Sequence, residues 1–324
     1  MKNKIMVTIR CLAYNHAPYI RQCLDGFIMQ KTNFRFEAII HDDASTDGTA
    51  NIIKEYAEKY PDIIKPIFQK ENQYSKGNDY IIRRMLDEHT HGKYVAYCEG
   101  DDYWIDPLKL QKQVDFLEKN PNISYLFTGR IIKNEMSGTC IKQTYKIRKY
   151  DTHDIISGFN PGVQNVCFKR ECLDIQNELL SNGIHDINGD RLIPYCASTI
   201  GIITCINDTT AVYRMTGKGI STSIKKEEWF KHASIDFYCF YKQLGKGDIK
   251  AYLKGEAKYL SSFLRSNNMF ISNIKSSYII LKEINPQMNI TNYTKILWYV
   301  ISNKFSKVFN KSDIYYTKYN IEIL

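Results

Sequence analysis

Three acids crowd one short stretch of the chain: Glu99, Asp101 and Asp102 fall within four positions, interrupted only by Gly100. Carboxylates held this closely repel one another and raise each other's pKa unless a cation sits among them. Mg²⁺ and Mn²⁺ take oxygen ligands of this kind, commonly one or two carboxylates with phosphate oxygens completing the shell. A bare Asp-Asp pair more often marks a solvated acidic turn. Here an apolar run, Tyr94 to Cys98, leads straight into the acids, and Tyr103-Trp104-Ile105-Asp106-Pro107 follows them. A second acidic pair, Asp42-Asp43, opens the segment that ends at Thr49.

The elements around these residues decide where they point. Ile5 to Leu12 is rich in β-branched residues and reads as a strand, broken by Tyr14-Asn15-His16-Ala17-Pro18. A helix follows with Ile20, Leu24, Phe27 and Ile28 on one face. Phe36 to His41 is the second strand and delivers Asp42-Asp43. An amphipathic helix from Thr49 to Tyr60 stops at Pro61, Ile63 to Gln69 forms a third strand, and a helix over Asp79 to Glu88 leads to the strand at Tyr94. Strands recurring about every thirty residues with helices between them have the βαβ rhythm of a parallel sheet. In such sheets ligands bind outside the carboxyl ends of the strands. Leu12 to Asn15, Asp42-Asp43 and Glu99 to Asp102 are therefore aimed at one crevice.

Farther on, Leu110, Val114 and Leu117 mark a helix and Ile123 to Thr128 a strand. Lys133 to Lys149 reads as a polar hairpin or loop, and Gly162 to Lys169 as a further strand. A helix of small and apolar residues follows the stretch Ile184 to Pro194. Gly201 to Asn207 and Thr209 to Arg214 are expected as two short strands around an Asn-Asp turn, with a flexible basic loop from Met215 to Ser223. Beyond Glu227 the pattern is helical. In Lys295 to Phe309 it places Leu297, Trp298, Ile301, Phe305, Val308 and Phe309 on one side, a face suited to a membrane surface or to packing on the rest of the protein.

Bulk properties narrow the classes. The chain has 324 residues, 44% hydrophobic and 24% charged, enough for one large domain or two. No window of about twenty residues is apolar enough to span a bilayer, and the N-terminus lacks the apolar region of a signal peptide. Nine cysteines without CxxC spacing suggest reduced thiols, not a disulfide framework or zinc site. The net charge of +9 is uneven: residues 1–224 carry 28 Lys and Arg against 27 Asp and Glu, residues 225–324 carry 16 against 8. That argues against a nucleic-acid-binding main body and for an anionic partner at the C-terminal end. A cytoplasmic protein, peripheral to the inner face of the membrane, is the expectation.

Four signatures occur in a fixed order: Leu12-Ala13-Tyr14-Asn15, Asp42 through Thr49, Glu99-Gly100-Asp101-Asp102-Tyr103-Trp104, and Gly189-Asp190. With them the sequence resembles the family 2 glycosyltransferases over roughly residues 4 to 223. Val212-Tyr213-Arg214 followed by Gly217-Lys218-Gly219-Ile220-Ser221 is similar to the loop that closes that family's site. The resemblance implies an α/β GT-A fold: a Rossmann-like, mostly parallel sheet flanked by helices. It also implies an inverting transferase that takes a nucleotide-sugar, UDP-sugar favoured, and Mn²⁺ or Mg²⁺. The domain would span 1–223, with a basic, aromatic-rich helical region over 224–324.

By the same resemblance, Tyr14 and the backbone of Leu12, Ala13 and Asn15 would border the nucleotide base. Asp43 would accept from a ring N–H, with Asp42 supporting the loop or reaching the ribose. Asp101 would approach the ribose or the metal, Asp102 would be the main metal ligand, and Glu99 would act through water. Asp190 would be the general base, with Asp186 as runner-up; as a bare sequence feature, Asp190 also fits a helix N-cap. His41 and His185 read as structural. Arg83 and Arg84 would face a donor phosphate or an exposed helix surface, while Lys218 and Arg214 are candidates to clamp the diphosphate. The acceptor would be a glycan or lipid-linked molecule in surface polysaccharide assembly. Two rival classes are a sugar-phosphate nucleotidyltransferase and a non-catalytic nucleotide-sugar scaffold. The first expects a glycine-rich loop with Arg and Lys after the first strand, where Tyr14 to Pro18 stands.

Overall fold

The structure is a computed structural model that describes residues 4–184, 189–217, 225–244, 247–264, 270–309 and 314–319. One end of its sheet is parallel: β1 (Ile5–Ala13), β2 (Arg35–Asp42), β3 (Ile64–Phe68) and β4 (Tyr94–Tyr97) lie side by side in the order β3-β2-β1-β4. Consecutive residues Val7 to Cys11 are all buried, as expected of a strand covered on both faces. The crossovers are α1 (Ile20–Ile28), α2 (Thr49–Lys59) and α3 (Asp79–Glu88). In α1 the fully buried side chains are Ile20, Cys23, Leu24 and Phe27, one stripe at helical spacing. Burying each large apolar chain contributes roughly 1.5–3 kcal/mol. Phe27 meets Trp104 edge-on at 4.9 Å, which fixes α1 beside the acidic turn.

After β4 the chain passes the acids into β5 (Tyr103–Trp104), α4 (Lys109–Lys119), β6 (Ile123–Asn134), β7 (Cys140–Tyr145), α5 (Thr152–Ile156), β8 (Val166–Lys169), α6 (Glu171–Ser181), α7 (Gly189–Ile200) and β9 (Ile202–Met215). β8 lies antiparallel between β4 and β6, β7 folds back on β6, and β9 runs parallel along β6. β5 pairs Tyr103 with Val212 and Trp104 with Ala211 of β9. That pairing pins the turn bearing Glu99 to Asp102 from behind.

The helical region comprises α8 (Lys226–Cys239), a π-helical turn (Phe240–Leu244), α9 (Ile249–Leu264), α10 (Phe270–Ile284) and α11 (Ile290–Phe309). It ends in β10 (Ile314–Tyr319), antiparallel to β7 at the sheet edge. One hydrophobic cluster joins the two regions: Cys239, Phe240, Leu244 and Ala251 pack with Leu192, Tyr195 and Ile156. Tyr195 also donates to the Leu244 carbonyl at 2.9 Å. A separate cluster, with Phe230 stacked on Phe263, forms the centre of the helical bundle. Among the described residues no helix is long and apolar enough to cross a membrane.

Several elements depart from expectation. β9 is one long strand, because Asn207-Asp208 form a bulge, not a turn: Phe127 pairs with Cys205, and two residues later Gly129 pairs with Thr209. Lys112 anchors that bulge through Asp208 at 2.6 Å. The stretch 133–149, by contrast, holds the expected hairpin, in which β7 folds back on β6 with Lys133 opposite Cys140. α6 is not signalled because its buried face, Cys172, Leu173 and Gln176, includes a polar residue. On α11 the residues that turn inward are not those of the expected face. Ile296 and Val300 are buried in the bundle, while Trp298 and Ile301 remain 62% and 55% exposed. Side chains beyond residue 302, and residues 185–188 with His185 and Asp186, lie outside the described ones.

Candidate active site

The loops after β1 and β2 are joined by side chains. The register sets Ala13 beside Asp42, and the Asp43 N–H donates to the Ala13 carbonyl at 2.9 Å. Asn15, with φ 54°, accepts from the Thr46 N–H at 2.8 Å, and its own N–H donates to the Ser45 hydroxyl at 2.9 Å. Left-handed backbone is tolerated by Asn, whose short polar side chain bonds locally. The Gly100 N–H donates to the Leu12 carbonyl at 2.8 Å, tying the acidic turn to the same loop. Tyr14, 44% exposed, therefore stands on a rigid base with its ring open to a ligand.

Asp42 and Asp43 are both buried, and both hold loops. An Asp42 oxygen accepts from the Ser45 N–H at 3.1 Å, while its other oxygen is buried without a hydrogen-bond partner. Asp43 accepts from the N–H groups of Gln73 and Tyr74 at 2.8 and 3.0 Å. It thereby draws the loop after β3 over the crevice.

The acidic turn is electrostatically costly. Asp102 is 1% exposed, and burial followed by the Asp101 charge pushes its carboxyl well above the usual range. Its Oδ1 accepts from the Arg214 N–H at 2.8 Å. The Arg214 guanidinium donates to the Asp101 carbonyl at 2.7 Å, to Glu135 at 3.0 Å and to Gln22. It stands 4.3 Å from the centre of the Tyr103 ring. Arg214, offered by the sequence as a diphosphate clamp, braces the turn through these protein partners. Lys218, the other candidate, lies outside the described residues. Arg83 and Arg84 pair along α3 with Asp79 and Glu88 at 2.6 and 3.2 Å. His41 is wholly buried with Nε2 3.1 Å from Gln69, a structural position.

Glu99 is half-buried, and its carboxyl too is pushed well up, first by burial and then by the charge of Asp190. Asp190 lies in the first turn of α7, where the helix dipole favours a carboxylate. Pro194, one turn on, lacks the N–H that would bond to the residue 190 carbonyl. Asp190 presents surface to solvent yet is closely surrounded by protein. Burial raises its pKa, Arg191 and Arg130 oppose the rise, and Asp236 adds to it. Asp190 also acts electrostatically on Tyr74 and Tyr125. The fold thus brings Asp190 from α7 to the acids of the β4 turn and to the loop held by Asp43.

Among the described residues no three His, Cys, Asp or Glu side chains are grouped to hold a metal by themselves. Asp102, with one oxygen already engaged, fits a cation that draws its remaining ligands from a bound diphosphate and water. Three residues at this site carry no sequence motif: Gln22, Glu135 and Arg130. Arg130 is placed by the β6–β9 pairing, where Tyr213 lies 5.3 Å from its guanidinium. The Arg191 next in sequence was the local signal available for a cation beside Asp190.

Residues 10–167 match the family model described as Glycosyl transferase family 2. An uncharacterised protein of Mycobacterium tuberculosis is 46% identical over 121 residues, 37% of this chain and 34% of that protein. The chain therefore matches about a third of the length of such curated relatives. The putative teichuronic acid biosynthesis glycosyltransferase TuaG of Bacillus subtilis is 25% identical over 248 residues, 74% of this chain and 92% of that protein. Staphylococcus aureus TarS, solved with UDP-GlcNAc, superposes with TM-score 0.58 at 15% identity, covering 94% of this chain and 92% of that one. By the domain match and the shared architecture together, residues 10–167 carry a family 2 glycosyltransferase domain, and the chain has the GT-A fold.

Proposed function

We propose that the protein is an inverting, divalent-metal-dependent glycosyltransferase that moves a sugar from a nucleotide-sugar, a UDP-sugar by preference, to a glycan or lipid-linked acceptor. The observation that carries this is the meeting of three loops: the Asp43 N–H bonds to the Ala13 carbonyl at 2.9 Å and the Gly100 N–H to the Leu12 carbonyl at 2.8 Å, which gathers Tyr14, Asp42-Asp43 and the acidic turn at one edge of the sheet. Tyr14 lies against the base, supported by the Leu12 to Asn15 loop. Asp43 keeps lone pairs for a ring N–H while holding the 73–74 loop. Asp42 supports its loop through Ser45. Asp102, with Asp101 and Glu99 nearby, would hold Mn²⁺ or Mg²⁺, which when bound neutralises charge on the leaving diphosphate. Asp190 takes the proton of the acceptor hydroxyl as its oxygen attacks the anomeric carbon opposite the leaving group. Attack from that face inverts the anomeric configuration.

That TarS was solved with UDP-GlcNAc supports the UDP preference. The name of TuaG supports a place in surface polysaccharide assembly. The exposed Trp298 and Ile301 of α11 suit peripheral contact with the cytoplasmic face of a membrane. The test is calorimetry with UDP, GDP, dTDP and CMP, each with Mn²⁺ and with EDTA, on wild type and Asp102→Ala. Mn²⁺-dependent binding of one nucleotide, lost in the variant, is expected. No binding of any of the four would overturn the enzymatic reading.

A further inference from the structure

Next to Asp190 the fold builds a feature that the roles above leave unused. The segment Gly158 to Gly162, between α5 and β8, begins and ends on glycines with φ of +88° and +93°. Only glycine adopts such backbone readily, and here the missing side chains also make room for cations. Lys258 of α9 crosses Gly158 and donates to its carbonyl; a Cβ at 158 would stand 3.2 Å from the lysine Cδ. Arg130 of β6 crosses Gly162 so closely that a Cβ there would fall 1.8 Å from its Nη1. Any side chain at 162 would displace the guanidinium.

Both cations are held in place. Arg130 donates to Gln143 at 2.7 Å and to Gln164 at 3.4 Å. The Gly162 N–H donates to the Asn160 side chain at 2.8 Å, closing the loop beneath it. A third cation, Arg191, lies buried behind, between the Phe237 and Tyr259 rings; its Nε pairs with Asp236 at 3.4 Å, while Nη1 lacks a hydrogen-bond partner. Gathering like charges is unfavourable. Lys258 is pushed down to about 8 by burial and by Arg191 and Arg130. An anion between them would relieve that repulsion.

We propose that Arg130 and Lys258 form a subsite for a phosphate-type anion on the acceptor, placed so that a neighbouring hydroxyl reaches Asp190. This rests on the reading of Asp190 as the base. The donor diphosphate is the other source of such an anion. Lys258, however, enters from the helical bundle on the side of α5 and α7, away from β1 and β2, which bear Tyr14 and Asp43. The acceptor is accordingly an anionic glycan or polyol phosphate, and the helical bundle supplies half of its anion site.

The probe is glycerol 3-phosphate, with glycerol as the neutral control, titrated by NMR with and without UDP. Wild type should bind the phosphate and not glycerol, in both conditions. Lys258→Gln and Arg130→Gln should each weaken that binding about tenfold, the worth of one charge-assisted hydrogen bond. For Lys258→Gln, which lies outside the donor site, UDP affinity should stay near wild type. Gly162→Ala, which displaces Arg130 without removing it, should weaken binding alike. Binding that is absent in wild type, unchanged in all three variants or competed away by UDP would overturn the proposal. Because the probe is also titrated without nucleotide, failure of UDP itself to bind counts against the donor reading alone.

Discussion

Replacing Arg214 by methionine probes how the acidic turn is held. The guanidinium is 4% exposed and donates to the Asp101 carbonyl, Glu135 and Gln22. Methionine fills similar volume and donates nothing. Breaking a buried pair costs about 3–5 kcal/mol. Glu135 is 26% exposed and keeps Lys133 at 3.0 Å, so a loss near the lower limit, about 3 kcal/mol, is expected. The bond from the Arg214 N–H to Asp102 is a backbone bond and survives, as does the β5–β9 pairing. The variant should therefore fold. Urea unfolding followed by the fluorescence of buried Trp104, adjacent to the turn, reads the change as a lower midpoint at unchanged slope. Nucleotide binding with Mn²⁺ should weaken about tenfold, or about 1.4 kcal/mol, because the turn carrying Asp101 loses its anchor. Arg214→Lys should fall between, since an ammonium cannot reproduce the planar fork. A loss below about 1 kcal/mol, the scale of a surface ion pair, with normal binding would refute the bracing role.

Three further outcomes follow from the site and its surroundings. Tyr14→Ala should weaken nucleotide binding by about 1–3 kcal/mol, the worth of one base–aromatic stack, with stability unchanged; equal affinity by calorimetry would remove Tyr14 from the base site. Burial raises the Asp190 pKa and the base acts ionised, so the transfer rate should decline as pH drops through the raised value. Asp236→Asn removes a charge that adds to the rise and should move this acid limb to lower pH, whereas an unmoved limb in a pH–rate profile counts against Asp190 as the titrating base. Glu256, fully buried with one oxygen unpartnered, is pushed up to about 8. The folded state therefore binds its proton more tightly than the unfolded chain, and stability declines as pH rises from the ordinary carboxylate range through about 8. Glu256→Gln should flatten that decline in denaturation measured across the same range.

The parallel end of the sheet was legible because its strands and helices carry their own periodicity, and the ends of β1, β2 and β4 fall where Tyr14, Asp42 and the acidic turn begin. What escaped was carried by long-range contacts with no local signature. Arg214 braces Asp101 across 113 residues, and Lys258 reaches Gly158 across 100. Asn207-Asp208 carry turn chemistry, yet the pairing of β6 with β9 absorbs them as a bulge. On α11 the apolar residues were visible, but which of them face the bundle depends on α9, so Trp298 and Val300 part company only in the fold. The role of Asp43 was half legible. Its place beside the base loop came from motif order, whereas its bonds to Gln73 and Tyr74 depend on where the loop after β3 settles.

The most direct measurement compares wild type with Asp190→Asn for release of nucleoside diphosphate from its sugar donor in the presence of glycan and lipid-linked acceptors, with nucleotide affinity measured in parallel. Removing a positioned general base costs typically about 10²–10⁴-fold in rate. The account predicts a loss of about 10³-fold with unchanged nucleotide affinity. Release at the wild-type rate from the variant would contradict it, leaving Asp190 a residue of the helix terminus and the catalytic base elsewhere.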